Sequence, residues 1–302
     1  MAQQLYVPAG SAARDGFDLV VTPESAGWGF SSLRTLTLPP GGERTFATGQ
    51  DEVLVLPLAG SARVEVDGEV LELAGRASVF EGVTDFAYVG RDSELTVASA
   101  AGAVLSFPGA RARRRLPFRY GPASGVPVEL RGAGRCSRQV NNFATPQAFE
   151  TDKLIACEVL TPAGNWSSYP PHRHDRTSDV ESELEEVYYF EFRGLGPEGT
   201  PRVDDGVGYQ RVYGEADRPV DVLEEVRSGD VVLIPHGWHG PSMASPAYDM
   251  YYLNVMAGPA DERAWKICDD PAHGWVRSTW EGVPVDPRLP LYGAPAAADA
   301  PA

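Results

Sequence analysis

The stretch YPPHRHDRTSDVESELEEVYYF, residues 169–190, combines two histidines one residue apart, a pair of glutamates and a run of aromatic side chains. In an extended strand, residues i and i+2 point to the same side, so His172 and His174 can direct both imidazoles at one point. The EEVYYF end favours a β-strand, because β-branched and aromatic residues fit a pleated, half-buried surface. The stretch therefore predicts β-structure that carries a candidate metal site.

This stretch has a diverged counterpart earlier in the chain, PPGGERTFATGQDEVLVLPLAG at residues 39–60. Both copies begin with Pro-Pro and continue through an acidic doublet and a valine, 51–53 in one and 185–187 in the other, into a short apolar run that ends in glycine. A second shared block follows, GRASVFEG from Gly75 and GDVVLIPHG from Gly229. Such self-similarity predicts two related modules in tandem.

The modules are expected to be antiparallel β-structure. SARVEVDGEVLEL, residues 61–73, alternates apolar and polar side chains around Asp67-Gly68, a dipeptide favoured in two-residue hairpin turns. Short β-branched or aromatic runs bounded by Gly and Pro fill the second half, and neither half has a convincing helical period. We therefore expect an all-β protein with modules at 1–125 and 126–302.

Charge and composition exclude several classes of partner. The net charge of −16 over 302 residues repels phosphate backbones and anionic lipids, so nucleic acid and membrane surfaces are not expected partners. No apolar segment approaches the ~18 residues of a membrane span, and the N-terminus lacks the apolar stretch of a signal peptide. Three cysteines without CxxC spacing suit a reducing compartment. We expect a cytoplasmic protein, monomer or homo-oligomer.

The histidines are confined to one module. All five lie beyond residue 171, whereas Gly41, Gly42 and Glu43 stand where the first copy would carry its HxH pair. The N-terminal module is therefore predicted to lack metal ligands.

Four residues form the predicted ligand set: His172, His174, Glu186 on the following strand and His239 near the next turn. Three imidazoles and one carboxylate suit one divalent transition metal, Mn, Fe, Co, Ni or Zn, with open positions for substrate oxygens. The same ligands serve several cations, so the sequence leaves the identity of the metal open.

Two of these assignments have close competitors. Glu185 and Glu186 fall on opposite faces of a strand, and periodicity alone does not choose between them. His236 competes similarly with His239. His273, in DDPAHGWV, is interpreted as a partly exposed loop residue.

The pattern resembles the two cupin motifs, in which HxH and a glutamate are followed by glycine, five residues, PxG and a histidine. Here the gap between His174 and Glu186 is longer than usual, one extra residue separates Glu186 from Gly194, and His239 comes one residue early. The resemblance implies one metal inside a small β-barrel.

A closer resemblance is to the 5-deoxy-glucuronate isomerase family of myo-inositol catabolism. The blocks GNWSSYPPHRHD, ESELEEVYYF, GYQRVY, GDVVLIPHGWHGP and YDMYYLNVMAGP are similar to that family's blocks in order, with His236 at a position that tends to be acidic. This resemblance implies a bicupin, two tandem cupin-type β-barrels. It also implies an isomerase that converts 5-deoxy-D-glucuronate, a small sugar acid, to 5-dehydro-2-deoxy-D-gluconate.

Such an aldose-to-ketose conversion removes a proton next to a carbonyl. The resulting enediolate carries negative charge on two neighbouring oxygens, which a divalent cation can chelate. A general base must move the proton between the two carbons. Asp249, Tyr251 and the glutamate that does not bind the metal are the candidates.

The far end of the substrate carries a carboxylate, which a guanidinium can hold through two parallel hydrogen bonds. Arg211 in GYQRVY is the first candidate and Arg138 in CSRQVNN the second. Trp166 and Tyr169, just before the histidines, are candidates for the pocket wall.

Three other functions remain open at this stage. An iron-dependent cupin oxygenase would use the same four ligands and consume O₂. The 4-deoxy-5-ketouronate isomerase of pectin breakdown has related chemistry, but its blocks match less well. A non-catalytic sugar-binding bicupin would hold little metal.

Overall fold

The computed structural model describes residues 4–195, 201–202 and 206–292, and this part of the chain is all-β, as predicted. Its helices are short: α1 spans Pro23–Ala26, and 3-10 helices span Ala123–Gly125, Gly134–Cys136 and Gly274–Trp280. None of the helices in the described ranges is long and apolar enough to cross a membrane.

The first strand, β1 (Tyr6–Val7), belongs to the C-terminal half of the protein. It pairs with residues 231–232, and the Tyr6 hydroxyl donates to Asp230 Oδ2 at 2.8 Å. The N-terminal segment is therefore tied to strands more than 200 residues away.

The N-terminal half, residues 17–121, contributes a nine-stranded antiparallel sheet. Its strands are β2 (Leu19–Val21), β3 (Ser31–Leu38), β4 (Gly42–Ala47), β5 (Asp51–Val66), β6 (Glu69–Arg76), β7 (Phe86–Val89), β8 (Glu94–Ser99), β9 (Ala103–Arg111) and β10 (Arg119–Gly121). The main path runs β10-β7-β5-β9-β3-β2, with β6 and β8 paired to β5, and β4 to β8. The predicted hairpin is present, because Asp67 and Gly68 both adopt the positive φ (52° and 82°) that its two-residue turn needs.

The C-terminal half, residues 128–292, contributes three further sheets. Its strands are β11 (Val128–Arg131), β12 (Arg138–Asn141), β13 (Ile155–Thr161), β14 (Trp166–Ser167), β15 (His172–Arg173), β16 (Glu185–Leu195), β17 (Pro201–Arg202), β18 (Gly208–Glu215), β19 (Arg218–Val226), β20 (Val231–Ile234), β21 (Ser242–Ala244), β22 (Tyr248–Ala257) and β23 (Cys268–Asp269). The largest sheet has the order β1-β20-β16-β22-β13-β12-β11, with β17 on β16. The second sheet has the order β14-β21-β18-β19, and the third consists of β15 and β23.

Both faces of the central strands β16 and β22 are buried. One face, with Val187, Tyr189 and Tyr251, joins a core shared with the N-terminal half. The opposite face, with Tyr188 and Tyr252, lines the interior of the C-terminal half. Because side chains alternate along a strand, this arrangement decides which residues can reach the interior. The predicted boundary at 125/126 and the two-barrel description stay predictions.

Candidate metal centre

A two-residue backbone bridge brings the two histidine-bearing segments together. The N–H of His172 donates to the carbonyl of His239 at 2.9 Å, and the N–H of His239 donates back at 2.8 Å. His172 lies in β15, while His239 follows β20 after a short loop. The bridge therefore places HxH beside a histidine 65 residues further along the chain.

The three imidazoles converge in the interior of the C-terminal half. Nitrogen atoms of His172, His174 and His239 all lie within 4.8 Å of one another, and all three residues are buried. The Nε2 atoms of His174 and His239 lie 3.1 and 3.0 Å from Glu186 Oε2, and 3.0 Å from each other. The buried histidines form a group that can hold a metal ion.

The hydrogen bonds of the rings fit this use. His174 Nδ1 donates to the carbonyl of Leu184 at 3.2 Å, and His239 Nδ1 donates to the carbonyl of Gly237 at 2.8 Å. Each bond places a proton on Nδ1, so in the neutral ring the lone pair of Nε2 is directed into the cluster, as metal-binding histidines require. The donor set thus suits a divalent transition metal.

The charges within the cluster are also suited to a cation. Burial alone would raise the pKa of Glu186, but its contacts with the adjacent imidazoles of His174 and His239 lower it to about 2. Burial and the neighbouring imidazoles lower the pKa of His172 well below its usual value. Glu186 is therefore an anion and His172 a neutral base at neutral pH, which are the protonation states of metal ligands.

Strand alternation separates the two glutamates that the sequence could not rank. The Glu185 carboxylate accepts the backbone N–H groups of Gly29, Phe30 and Ser31 at 2.6, 2.8 and 3.0 Å. Glu186 points to the opposite face, towards the histidines. Glu185 thus holds the two halves together and has no access to the cluster.

The other two histidines lie apart from this group. The ring of His273 is 6.2 Å from that of Tyr169, and it belongs to a loop. His236 Nε2 is buried, with no hydrogen-bond partner in the described part of the chain. The histidine group contains His239 and not His236.

A residue that the sequence analysis missed orients Glu186. Asn254, on β22, donates from Nδ2 to Glu186 Oε1, which leaves Oε2 to face the histidines. The signal was present in YDMYYLNVMAG, because Asn254 is a polar residue in the middle of a strand that is entirely buried beyond its first residue. Buried polar side chains need a partner, and here the partner is a predicted ligand.

Charged residues outside the cluster hold together the two segments that carry the histidines. Arg173 points away from the site, pairs with Glu181 and Glu215 at 3.3 and 2.8 Å, and lies 4.4 Å over the ring of Trp238. Asp175 Oδ2 accepts the N–H of Gly237 at 2.7 Å. These contacts connect the residues adjoining His172 and His174 to those adjoining His239.

The two named candidates for the general base do not reach the cluster. Glu186 lies opposite Met256 in the sheet, so the even-numbered residues of β22 share its face. Asp249 instead accepts the N–H of Ala163 at 2.9 Å and pairs with Arg193 at 2.6 Å. Tyr251 donates to Glu158 at 2.9 Å on the face shared with the N-terminal half. Both assignments fail because these positions fall on the wrong side of the strand.

The first candidate for the substrate carboxylate, Arg211, already has partners. It pairs with Asp221, donates to the carbonyls of Val212 and Val222 at 3.1 and 2.9 Å, and lies 5.2 Å over the Tyr213 ring. Its guanidinium is thus occupied at a partly exposed hairpin.

The second candidate, Arg138, is buried, with 8% of its surface exposed, and within the described residues it makes one hydrogen bond, to the carbonyl of Cys136 at 3.2 Å. No carboxylate of the described residues pairs with it. Trp166 is 44% exposed and its ring lies edge-on to Tyr169 at 5.6 Å, so these two rings pack against each other at the surface, and their role in a pocket wall stays a prediction.

The chain is similar to proteins with known names. A protein of Geobacillus kaustophilus (strain HTA426) named 5-deoxy-glucuronate isomerase is 39% identical over 278 residues, 90% of this chain and 95% of the relative. A solved IolB-like protein from Salmonella typhimurium LT2 superposes with a TM-score of 0.81 at 32% identity, covering 90% of this chain and 99% of that one.

A more distant structure shares the fold alone. The oxalate decarboxylase of Bacillus subtilis, described with Mn(II) centres, superposes with a TM-score of 0.59 at 11% identity, covering 89% of this chain and 80% of that one. Its likeness supports the cupin-like β fold.

Residues 5–276 match the profile of the KduI/IolB family. The matched range includes the β-sheets of both halves and all the clustered histidines. This match spans most of the chain, and full-length relatives agree with it. The chain belongs to the KduI/IolB family.

Proposed function

We propose that the protein is a metal-dependent aldose–ketose isomerase that converts 5-deoxy-D-glucuronate to 5-dehydro-2-deoxy-D-gluconate. Membership of the KduI/IolB family and relatives named 5-deoxy-glucuronate isomerase support this activity. The observation that carries the proposal is the convergence of three buried imidazoles on the anionic carboxylate of Glu186. A non-catalytic sugar-binding protein would have no need to bury such a group.

The residues that would hold the metal are His172, His174, Glu186 and His239. Mn, Fe, Zn, Co and Ni all accept this ligand set, and metal analysis of the purified protein decides among them. When bound, the ion supplies positive charge to the oxygens of the two carbons between which hydrogen moves.

The chain's own residues prepare the site for an anionic substrate. Asn254 holds Glu186 in one orientation, so the carboxylate keeps a single oxygen towards the imidazoles. Arg138 is a buried guanidinium without a carboxylate partner in the described residues, an arrangement that is unfavourable unless a ligand supplies the negative charge. Burial lowers the pKa of Arg138, and a bound sugar acid would oppose this effect. We assign the carboxylate of the substrate to Arg138.

The proposal includes the organisation of the chain. The N-terminal module, residues 1–125, would lack a metal, and the C-terminal module, 126–302, would carry the reaction. Support comes from the position of every clustered histidine in the second half. A cytoplasmic location is also proposed, on the basis of the free cysteines Cys136, Cys157 and Cys268.

The direct test supplies 5-deoxy-D-glucuronate to the purified protein and follows ketose formation. We expect turnover that a chelator abolishes and that a divalent transition metal restores. An oxygen electrode in the same reaction separates the alternative cupin oxygenase, because an isomerase consumes no O₂. Absence of ketose from metal-loaded protein would overturn the proposed function.

A further inference from the structure

Two adjacent tyrosines of β22, Tyr251 and Tyr252, are both completely buried but face opposite sides of the sheet. Tyr251 donates to Glu158 in the core between the halves. The hydroxyl of Tyr252 instead lies 2.6 Å from Ser167 Oγ and 2.8 Å from Ser168 Oγ, on the face that also carries Glu186. We call Tyr252, Ser167 and Ser168 the hydroxyl cluster.

The hydroxyl cluster has one more hydroxyl proton than its internal hydrogen bonds require. Three hydroxyl groups carry three protons, and the two hydrogen bonds between them consume two. Within the described ranges, none of the three hydroxyl groups has a further hydrogen-bond partner. One O–H therefore remains available to donate to a group that the chain itself does not provide.

The surroundings of the hydroxyl cluster are rich in donors. In the sheet register, Tyr252 lies opposite Val159, and the next inward-facing residue of β13 is Thr161, whose buried Oγ1 has no partner among the described residues. Continuing the pairing of β12 with β13 by one residue places Arg138 opposite Thr161. The charge of Arg138 is near enough to lower the pKa of both Tyr252 and His172.

The phenol of Tyr252 is suited to donate rather than to accept a proton. Burial raises its pKa to about 12, although Ser167, Ser168 and Arg138 act in the opposite direction. It is therefore protonated at neutral pH and can hydrogen-bond an anion without titrating, as buried phenols in oxyanion sites do.

The position also fits one particular part of the substrate. Asn254, which contacts Glu186, follows Tyr252 by two positions towards the metal centre, about 7 Å along the strand. The hydroxyl cluster is thus displaced from the reacting end of a bound sugar acid in the direction of Arg138. A six-carbon uronic acid carries its carboxylate at the end opposite its aldehyde.

We infer that Tyr252, Ser167 and Ser168 act with Arg138 as the binding subsite for the carboxylate of the substrate, and so select sugar acids over neutral aldoses. The inference rests on the proposed isomerase function. In it, Arg138 supplies the charge and the hydroxyl cluster supplies the additional donor. Tyr252 is a specificity residue and takes no part in moving the proton between carbons.

The decisive test compares two variants on two substrates. Tyr252→Phe removes the hydroxyl and keeps the ring, which stacks on Tyr188 at 4.9 Å, while Tyr251→Phe is the matched control on the opposite face. The substrates are 5-deoxy-D-glucuronate and its analogue with the carboxylate reduced to a primary alcohol. Steady-state kinetics with both give kcat and KM separately.

We expect Tyr252→Phe to lower kcat/KM for the acid by about 10- to 100-fold, chiefly through KM, because a hydrogen bond to a charged group is lost. The same variant should leave kcat/KM for the neutral analogue unchanged, and Tyr251→Phe should alter neither substrate. An equal loss on both substrates would assign Tyr252 to the reacting carbons and overturn the inference. Unchanged kinetics on the acid would also overturn it.

A binding measurement separates this inference from the proposed function. Titration calorimetry with D-gluconate and D-glucitol compares an acid with its neutral analogue in the wild type, Ser167→Ala and Tyr252→Phe. Thermal unfolding confirms that each variant is folded. Weaker gluconate binding in both variants, with glucitol unaffected, supports the carboxylate subsite even if the wild type forms no ketose. Undiminished gluconate binding in both folded variants overturns the subsite, even if the isomerase activity is real.

Discussion

Glu52 and Glu185 are exchanged carboxylates: each accepts three consecutive backbone N–H groups from the opposite half of the protein. Glu52 accepts those of residues 152–154 at 2.6 to 2.7 Å, just before β13. Glu185 accepts those of residues 29–31 at 2.6 to 3.0 Å, at the start of β3. Since these contacts mirror each other, the two halves meet through equivalent positions of β5 and β16.

This relationship corrects the register of the internal repeat. Aligning the acidic doublets by sequence pairs Glu52 with Glu186, whereas the reciprocal hydrogen bonds pair Glu52 with Glu185. The counterpart of Glu186 in the N-terminal half is then Val53, which is completely buried in an apolar core. The N-terminal half therefore has no carboxylate at the position of the predicted ligand.

Glu186→Gln should release the metal and lower kcat/KM by at least about 100-fold, because it neutralises the only carboxylate that contacts the histidines in the described structure. Metal content by mass spectrometry and ketose formation measure both effects. Glu185→Gln is the matched control and should retain its metal. Full metal occupancy and turnover in Glu186→Gln would remove this residue from the ligand set.

Asn254→Ala should weaken metal binding by about 10- to 100-fold, the usual effect of removing a side chain that orients a metal ligand. Without the amide, Glu186 Oε1 is left buried without that donor and the carboxylate is free to rotate. Competition with a chromogenic chelator measures the affinity. An affinity equal to that of the wild type would show that Asn254 has no orienting role.

Gly240→Ala should displace His172 and weaken metal binding. A Cβ at this position would lie 2.6 Å from His172 Cε1 and 2.5 Å from the Ser168 carbonyl oxygen, closer than any tolerated contact. Gly41→Ala is the control, because Gly41 also has a positive φ but nothing lies within 4 Å of its Cβ position. Chelator competition should show a loss only for Gly240→Ala, and equal behaviour of the two variants would contradict the steric argument.

Glu52→Gln should lower the free energy of unfolding by about 2 to 4 kcal/mol, because charge-assisted hydrogen bonds to three buried N–H groups are replaced by weaker ones. Urea denaturation measures the change. Metal affinity should stay the same, since Glu52 lies in the other half. A neutral effect on unfolding would show that the exchanged carboxylate does not stabilise the contact between the halves.

The sequence by itself predicted the all-β class, the Asp67-Gly68 hairpin and the convergence of His172 and His174 with a further histidine, for which His239 was chosen although His236 competed with it. These follow from local rules: the period of two in a strand, the positive φ of the turn, and the chemistry of imidazole. Resemblance to the isomerase family followed from long blocks of consecutive residues, and it too needed no tertiary information.

Only the tertiary structure decided between neighbours in the chain: Glu186 over Glu185 at the histidines, and Tyr252 over Tyr251 on the inner face. The two-residue period of a strand places such neighbours on opposite faces, but it identifies the inner face only when the outer face is polar. Both faces of β16 and β22 are buried, one against the N-terminal half and one in the interior of the C-terminal half. Neither strand therefore has a polar, solvent-facing side that would identify the inner one, and the packing of the two halves alone determines which side chains reach the candidate metal centre.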